Sequence, residues 1–184
     1  SLSTSSGGFS AGQLWINAPG APTNLLFSGS DFGPAWPSSP TSMPCAASAL
    51  LDPANLLGCD PWPSNAFAGA CALIKRGTCD FSAKVLLAQQ AGAVAAVIYN
   101  DEARGDELMT MGAGGSGDLV TIPAAFIGNT DGNALINWLS NHPSSTLSVH
   151  FGNSSSIPGI PDVLASNSSR GPGVVHVLKP DIAA

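Results

Sequence analysis

Three side chains in "KRGTCDFSAK", Lys75 to Lys84, could do chemistry: Arg76, Cys79 and Lys84. A thiol at a helix N-terminus has a lowered pKa and can act as a nucleophile. An amine acts as a base or nucleophile when a pocket depresses its pKa. An Arg at a turn can hold a peptide. Each also has a plainer use. Cys79 can be a disulfide staple, and Cys59 lies 20 residues upstream; closing a loop of that size contributes about 3 kcal/mol. Lys84 can pack its stem and bring its ammonium to a carboxylate or carbonyl. Arg76 can be solvated or tied to a local carbonyl.

Elsewhere the chemical signals are thin. Gly112, Gly114 and Gly117 match G-x-G-x-x-G. A dinucleotide fingerprint must follow a strand and open a helix, whereas these glycines lead into the apolar stretch "DLVTIPAAFIG" and read as a surface loop. No Gly-Lys-Ser/Thr and no G-x-S-x-G elbow between a strand and a helix is present, and His142, His150 and His176 stand in no nucleophile–base pattern. Cys45, Cys59, Cys71 and Cys79 form no C-x-x-C pair, which argues against zinc ribbons and thioredoxin-type chemistry. The expectation is no catalytic residue, no metal and no cofactor.

The elements that position these residues form a strand–helix–strand unit. Cys71 to Lys75 is apolar enough for a strand, Asp80 is a candidate N-cap, and Phe81 to Ala91 reads as a helix with Gly92 just past its end. On a helical wheel Lys84 falls on the apolar face, between Phe81, Val85 and Ala88 on one side and Leu87 and Ala91 on the other. Val94 to Tyr99 reads as a buried parallel strand. A polar, Gly-rich loop runs from Asn100 to Asp118, and within it 103–117 is a candidate mobile edge, because it has little apolar material to bury. Ile122 to Ile127 is another strand, Asp131 caps a second helix to about Asn141, and Thr146 to Phe151 alternates like a final strand. Gln13 to Ile16 and Leu25 to Phe27 are short strand candidates. Residues 33–48 hold several Pro and read as an irregular surface loop. The reading is an α/β fold in one domain over 13–152. A loose N-terminal stretch (1–12) precedes it, and a different module (153–184) follows.

Composition narrows the classes. Of the 184 residues only 10% are charged, against about 25% in ordinary soluble proteins. Net charge is −6, so a basic stripe for nucleic acid or an anionic membrane surface is missing. The apolar run Ala91 to Tyr99 is far below the roughly 20 residues that span a bilayer. An even Cys count in a chain of low charge points to disulfides and an oxidising, extracellular compartment. Asn153-Ser-Ser and Asn167-Ser-Ser are glycosylation sequons for a eukaryotic host.

The stretch "FAGACALIKRGTCDFSAKVLLAQQAGAVAAVIYND", followed by "IPAAFIGNTDGNALINWL", resembles the protease-associated (PA) domain. The resemblance runs through Phe67, Gly69, Arg76, Gly77, Cys79, Phe81, Lys84, Ala88, Ala91, Gly92, Tyr99 and Asn100, then Ile122, Pro123, Asp131 and Gly132. It departs at Ala70-Cys71, where such domains often have Lys and a β-branched residue. It implies a swivelling β/β/α fold, with a barrel-like β core and short flanking helices. It also implies a non-catalytic role: covering an active-site cleft, binding peptide or assisting assembly. Arg76, Gly77, Lys84 and Asn100 are the binding candidates it supplies. Resemblance and proximity imply a Cys59–Cys79 disulfide, which leaves Cys45–Cys71 as a second pair.

"ASNSSRGP" at Ala165 to Pro172, with "LKPDIAA" at Leu178 to Ala184, is similar to a stretch of the subtilisin-like serine proteases, with Asn167 in place of the usual Phe. In that family it precedes the Gly-Thr-Ser that carries the catalytic Ser. The resemblance implies the insert of a secreted protease plus a flanking piece, with polypeptide substrate and the parent protease domain as partners. Residues 160–184 would be poorly anchored or self-associating when separated from the protease sheet. A lumenal cargo-binding domain of a sorting receptor or ubiquitin-ligase-type membrane protein is the second parent class that fits the core.

Overall fold

The computed structural model describes residues 12–37 and 39–150, together with 171–172 and 178–179. The sequons at Asn153 and Asn167, His176 and most of 160–184 lie outside the described residues. The chain divides into two compact units: Phe9–Ile157, and Ser1–Gly8 with Pro158–Ala184. In the second unit, Gly171–Pro172 and Leu178–Lys179 pair antiparallel.

The larger unit is built on a seven-stranded sheet in the order β2-β1-β7-β3-β4-β5-β6. Its strands are β1 (Gly12–Ile16), β2 (Leu25–Phe27), β3 (Thr41–Ala47), β4 (Cys71–Lys75), β5 (Ala95–Tyr99), β6 (Ala124–Ile127) and β7 (Thr146–His150). β3 to β6 run parallel, while β2, β1, β7 and the start of β3 pair antiparallel. Just past β2, Ser28 exchanges two backbone hydrogen bonds with Phe126 of β6, at 2.9 and 2.8 Å. That bridge nearly closes the sheet into a barrel. The helices are short: α1 (Ser48–Leu51), α2 (Phe81–Gln90) and α3 (Asn129–Asn141).

The apolar runs of β4, β5 and β6 follow from burial on both faces. Cys71, Leu73, Val97, Tyr99, Ala125 and Ile127 point into one core with Leu135 and Leu139 of α3. The alternate residues Ala72, Ile74, Ala96, Ile98, Ala124 and Phe126 point into a second core with Val85 and Ala88 of α2. The two-residue period thus sends one set inward against α3 and the other outward under α2. Gly92 ends the first crossover at φ +91°, the left-handed geometry a helix C-terminus favours.

Several boundaries move. The Pro-rich stretch 33–48 contains β3, a central strand, and not only loop. Pro44 is tolerated because β3 changes partners there. Thr41 to Pro44 pair with β7, and Cys45 to Ala47 pair with β4. The missing N–H therefore falls at the last pair of one ladder, just before the next begins. α3 starts at Asn129, two residues before Asp131, and the remote Asp106 Oδ1 accepts from its Thr130 amide at 2.7 Å. Asp80 does occupy the N-cap position of α2, but its side chain makes no capping bond.

Cys59 and Cys79 are joined by a disulfide. The expected second bridge is corrected: Cys45 and Cys71 are buried free thiols. They are direct neighbours on parallel strands, where side chains project side by side rather than toward each other. The hydrogen bond with Cys45, together with burial, holds the Cys71 thiol well above its ordinary range.

Gly132 marks the closest approach of α3 to the sheet. A Cβ added there would lie 2.3 Å from Tyr99 Cβ and 2.4 Å from its Cγ, atoms near the backbone that cannot swing away. Replacing a helical Gly by Ala gains up to about 1 kcal/mol of propensity, but overpacking outweighs it. Gly132→Ala is expected to lower the unfolding free energy by about 1–3 kcal/mol. An unchanged midpoint in a urea titration would contradict this contact.

Candidate functional site

The loops that leave β4, β5 and β6 at their C-terminal ends gather the polar side chains. Parallel sheets place their ligands there, because crossover loops converge where the strands stop. Arg76 is the first residue after β4, Asn100 the first after β5, and Gly128 the first after β6.

Arg76 is held on every side. Its amide donates to Tyr99 O at 2.8 Å. Its Nη1 lies 3.2 Å from Asn100 Oδ1 and 3.1 Å from Met109 Sδ. Its Nε lies 3.9 Å from Asp101 Oδ2. The guanidinium sits over Phe81 and Phe126, 5.5 and 6.0 Å from the ring centroids, which combines cation–π attraction with burial of its stem. The Arg76 side chain remains 16% exposed. Two surface depressions meet at it. One, of about 350 Å³, is walled by Arg76, Thr78, Cys79, Asp80, Phe81 and Gly114. The other, of about 220 Å³, is walled by Arg76, Asn100, Arg104, Glu107 and Met109.

The other candidates do different things. Asn100 is fully buried. Its Nδ2 donates to Glu107 O at 2.9 Å, and its Oδ1 accepts from the Asp101 amide and from Arg76. It pins the loop and braces Arg76. Gly77 leaves room for Leu57, whose Cδ1 would be 2.7 Å from an added Cβ. Lys84 stands apart from this face. It is fully buried, and its Nζ donates to Leu57 O. Its carbonyl partner agrees with the plain reading of that residue.

Sequence reasoning missed Asp101, Met109 and the two Phe rings. Asp101 ties Arg76 to Arg104, whose Nη1 is 3.0 Å from Asp101 Oδ2. Desolvation works to raise the Asp101 pKa, but the Arg104 amide and guanidinium and the Arg76 charge outweigh it and hold the carboxyl below its usual range. The adjacent Tyr99-Asn100-Asp101 turn was the available signal. Met109 could not be found that way, because it reaches Arg76 from 33 residues downstream.

The candidate mobile edge 103–117 is anchored near its start and at its middle. Asp106 caps α3, and Met111, fully buried, exchanges backbone bonds with Gly29 and Asp31. Apolar anchors at Leu108, Met109 and Met111 account for this. Among the described residues, no group of three or more His, Cys, Asp or Glu could hold a metal ion. His142 stacks on Trp138 at 3.9 Å, on the α3 C-terminus.

The unit is a barrel-like α/β fold that gathers polar side chains where its parallel strands end. The PA domain profile matches residues 43–135, just over half of the chain, and the chain belongs to the PA domain family. It is similar to "Subtilisin-like protease SBT1.6" of Arabidopsis thaliana, 33% identical over 120 residues, covering 63% of this chain and 14% of that protein. It is also similar to "E3 ubiquitin-protein ligase Godzilla" of Drosophila melanogaster, 40% identical over 67 residues, covering 36% of this chain and 12% of that protein. Among solved structures it resembles an aminopeptidase from Aneurinibacillus sp. strain AM-1, with TM-score 0.54 and 26% identity over 77% of this chain and 30% of that one. The chain thus spans a small part of each.

Lys84 supplies a test of the geometry. Burial lowers its pKa from 10.5 to about 8. The folded chain then binds fewer protons than the unfolded chain between those values, so stability rises with pH across that window. Denaturant midpoints for wild type should increase from about pH 8 to 10.5, and Lys84→Met should lose this slope. A parallel rise in both proteins would remove Lys84 as its source.

Proposed function

We propose that this chain is the non-catalytic PA domain of a secreted subtilisin-like serine endopeptidase, where it recognises or admits polypeptide substrate beside the protease cleft. The observation that carries the recognition role is Arg76. It is a charged side chain fixed by internal bonds, set between two open depressions and still partly exposed. Preorganisation of this kind lowers the ordering cost of binding. Two shallow depressions on one ridge suit an extended chain better than a compact small molecule. Arg104, more exposed, extends the same ridge.

The parent assignment is supported by two further observations. The segment Ala165 to Ala184 carries "SSRGP" and "LKPDIAA", and a subtilisin-like protease is among the relatives. An extracellular setting is supported by the disulfide, and among the described residues no helix is long and apolar enough to cross a membrane. The likeness to E3 ubiquitin-protein ligases keeps a second reading, a lumenal cargo-binding domain, which the tail does not support.

In the parent protease, Arg76→Ala should lower kcat/KM for a long unfolded polypeptide several-fold and leave a short chromogenic peptide unaffected. Loss of activity on both substrates would place the residue in folding or catalysis instead. Sequence of the gene around this segment decides the parent. A Gly-Thr-Ser beyond Ala184 fits the protease, and a membrane span with a Cys/His cluster fits the receptor.

A further inference from the structure

Lys84 has no anion. Its ammonium is fully buried, bonds to the Leu57 carbonyl, and lies 3.6 Å from Cys59 Sγ. The ion pairs among the described residues are Lys75–Glu102, Arg76–Asp101 and Arg104–Asp101, and none includes it. A buried cation facing only a carbonyl dipole is unfavourable. It would gain a counter-ion if Cys59 became a thiolate.

The two sulfurs of the Cys59–Cys79 bridge have different surroundings. Cys59 Sγ is backed by Lys84 and lies 3.9 Å from the Thr78 hydroxyl. Cys79 is a wall of the 350 Å³ depression, beside Arg76, and Cys59 is not. The Arg76 charge attracts an anionic reagent to the Cys79 side. Asp80 is exposed next to Cys79 and disfavours a second negative charge there.

We propose that the Cys59–Cys79 bridge is a thiol-exchange site, attacked at Cys79 by the thiolate of a dithiol, with Cys59 leaving as a thiolate held by Lys84. The incoming sulfur bonds to Cys79 Sγ. The Cys79–Cys59 bond breaks and its electron pair goes to Cys59. The second thiolate of the dithiol then attacks its own sulfur in the mixed disulfide, closes a cyclic disulfide and releases Cys79. The dithiol is oxidised by two electrons and the bridge is reduced by two. Of the dithiol's two protons, one goes to Cys79 and the other to solvent or to Cys59. An ammonium beside a thiol favours its thiolate, and a more acidic leaving thiol departs faster. Opening the bridge unties the Leu57–Cys59 segment from the turn Gly77–Cys79, which walls the depression at Arg76. The exchange itself does not depend on the recognition role.

The first test is a map of the mixed disulfide. Oxidised wild-type chain is treated with limiting glutathione at pH 7, quenched with acid and digested with trypsin. Cys79 falls in the peptide 77–84, apart from Cys59 in the peptide ending at Lys75. Glutathione on Cys79 with Cys59 free is expected. Glutathione on Cys59, or on both equally, overturns the proposal. The second test is the rate of reduction by dithiothreitol. Lys84→Met should slow it roughly three- to tenfold, as a change of one to two units in leaving-thiol pKa requires, and Lys84→Arg should restore it. In the reduced protein, alkylation of Cys59 by iodoacetamide should have a midpoint below about 8.5 in wild type and higher in Lys84→Met. Equal rates and midpoints overturn the role of Lys84. If Lys84→Met does not fold, the wild-type map still decides which sulfur is attacked.

Discussion

Burial of both faces of β4, β5 and β6 is the constraint on which the rest of the structure depends. Three adjacent parallel strands with apolar side chains above and below need cover on each side. α2 and the 108–122 segment supply it on one face, and the closed strands with α3 supply it on the other. Nothing polar can be placed along these strands without a partner, since an unpaired buried polar group is costly. Polar chemistry is therefore displaced to the strand ends. The first residues after β4 and β5, Arg76 and Asn100, are also the first positions where a charged or amide group can be satisfied.

The strand ends in turn must satisfy their own backbone. Asn100 does this with its side chain, which bonds to Arg76, the Asp101 amide and the Glu107 carbonyl. Asp106 does it for the start of α3. That carboxylate occupies the anion-favouring helix N-terminus with a group of the protein's own. What remains for a partner is the outer side of Arg76, the exposed Arg104 and the relief between them. The face therefore offers relief and one fixed cation, not a row of free donors.

Much of this fold was legible in the sequence, and the failures have particular causes. The runs "CALIK" and "AAVIY" read as buried parallel strands because both periods of the pleat are apolar. Gly92 announced the end of α2. β3 was hidden by Pro44 and by the prolines that precede the strand. The strand changes partners midway, and Pro44 sits at that change. Lys84 on an apolar helix face was visible, and so was the need for a buried partner. The identity of that partner, a carbonyl on a segment 27 residues away, was not. Asn100 was identified by resemblance as a binding residue, yet its burial makes it a brace for Arg76. Resemblance transmits which residues matter more readily than which way they face.

The same turn serves two ends that pull in different directions. Gly77 to Cys79 must hold Arg76 rigidly over Phe81 and Phe126, which favours a covalent tie to the Leu57–Cys59 segment. A tie that only conferred rigidity would be best surrounded by apolar atoms, as the buried Cys45 and Cys71 are. The Cys59–Cys79 bridge instead has a buried ammonium at one sulfur and a solvent depression at the other. Packing alone does not require that asymmetry, because an apolar side chain at position 84 could fill the space beneath Leu57. The ammonium satisfies the Leu57 carbonyl while the bridge is closed, and under the proposed exchange it also faces the Cys59 thiolate.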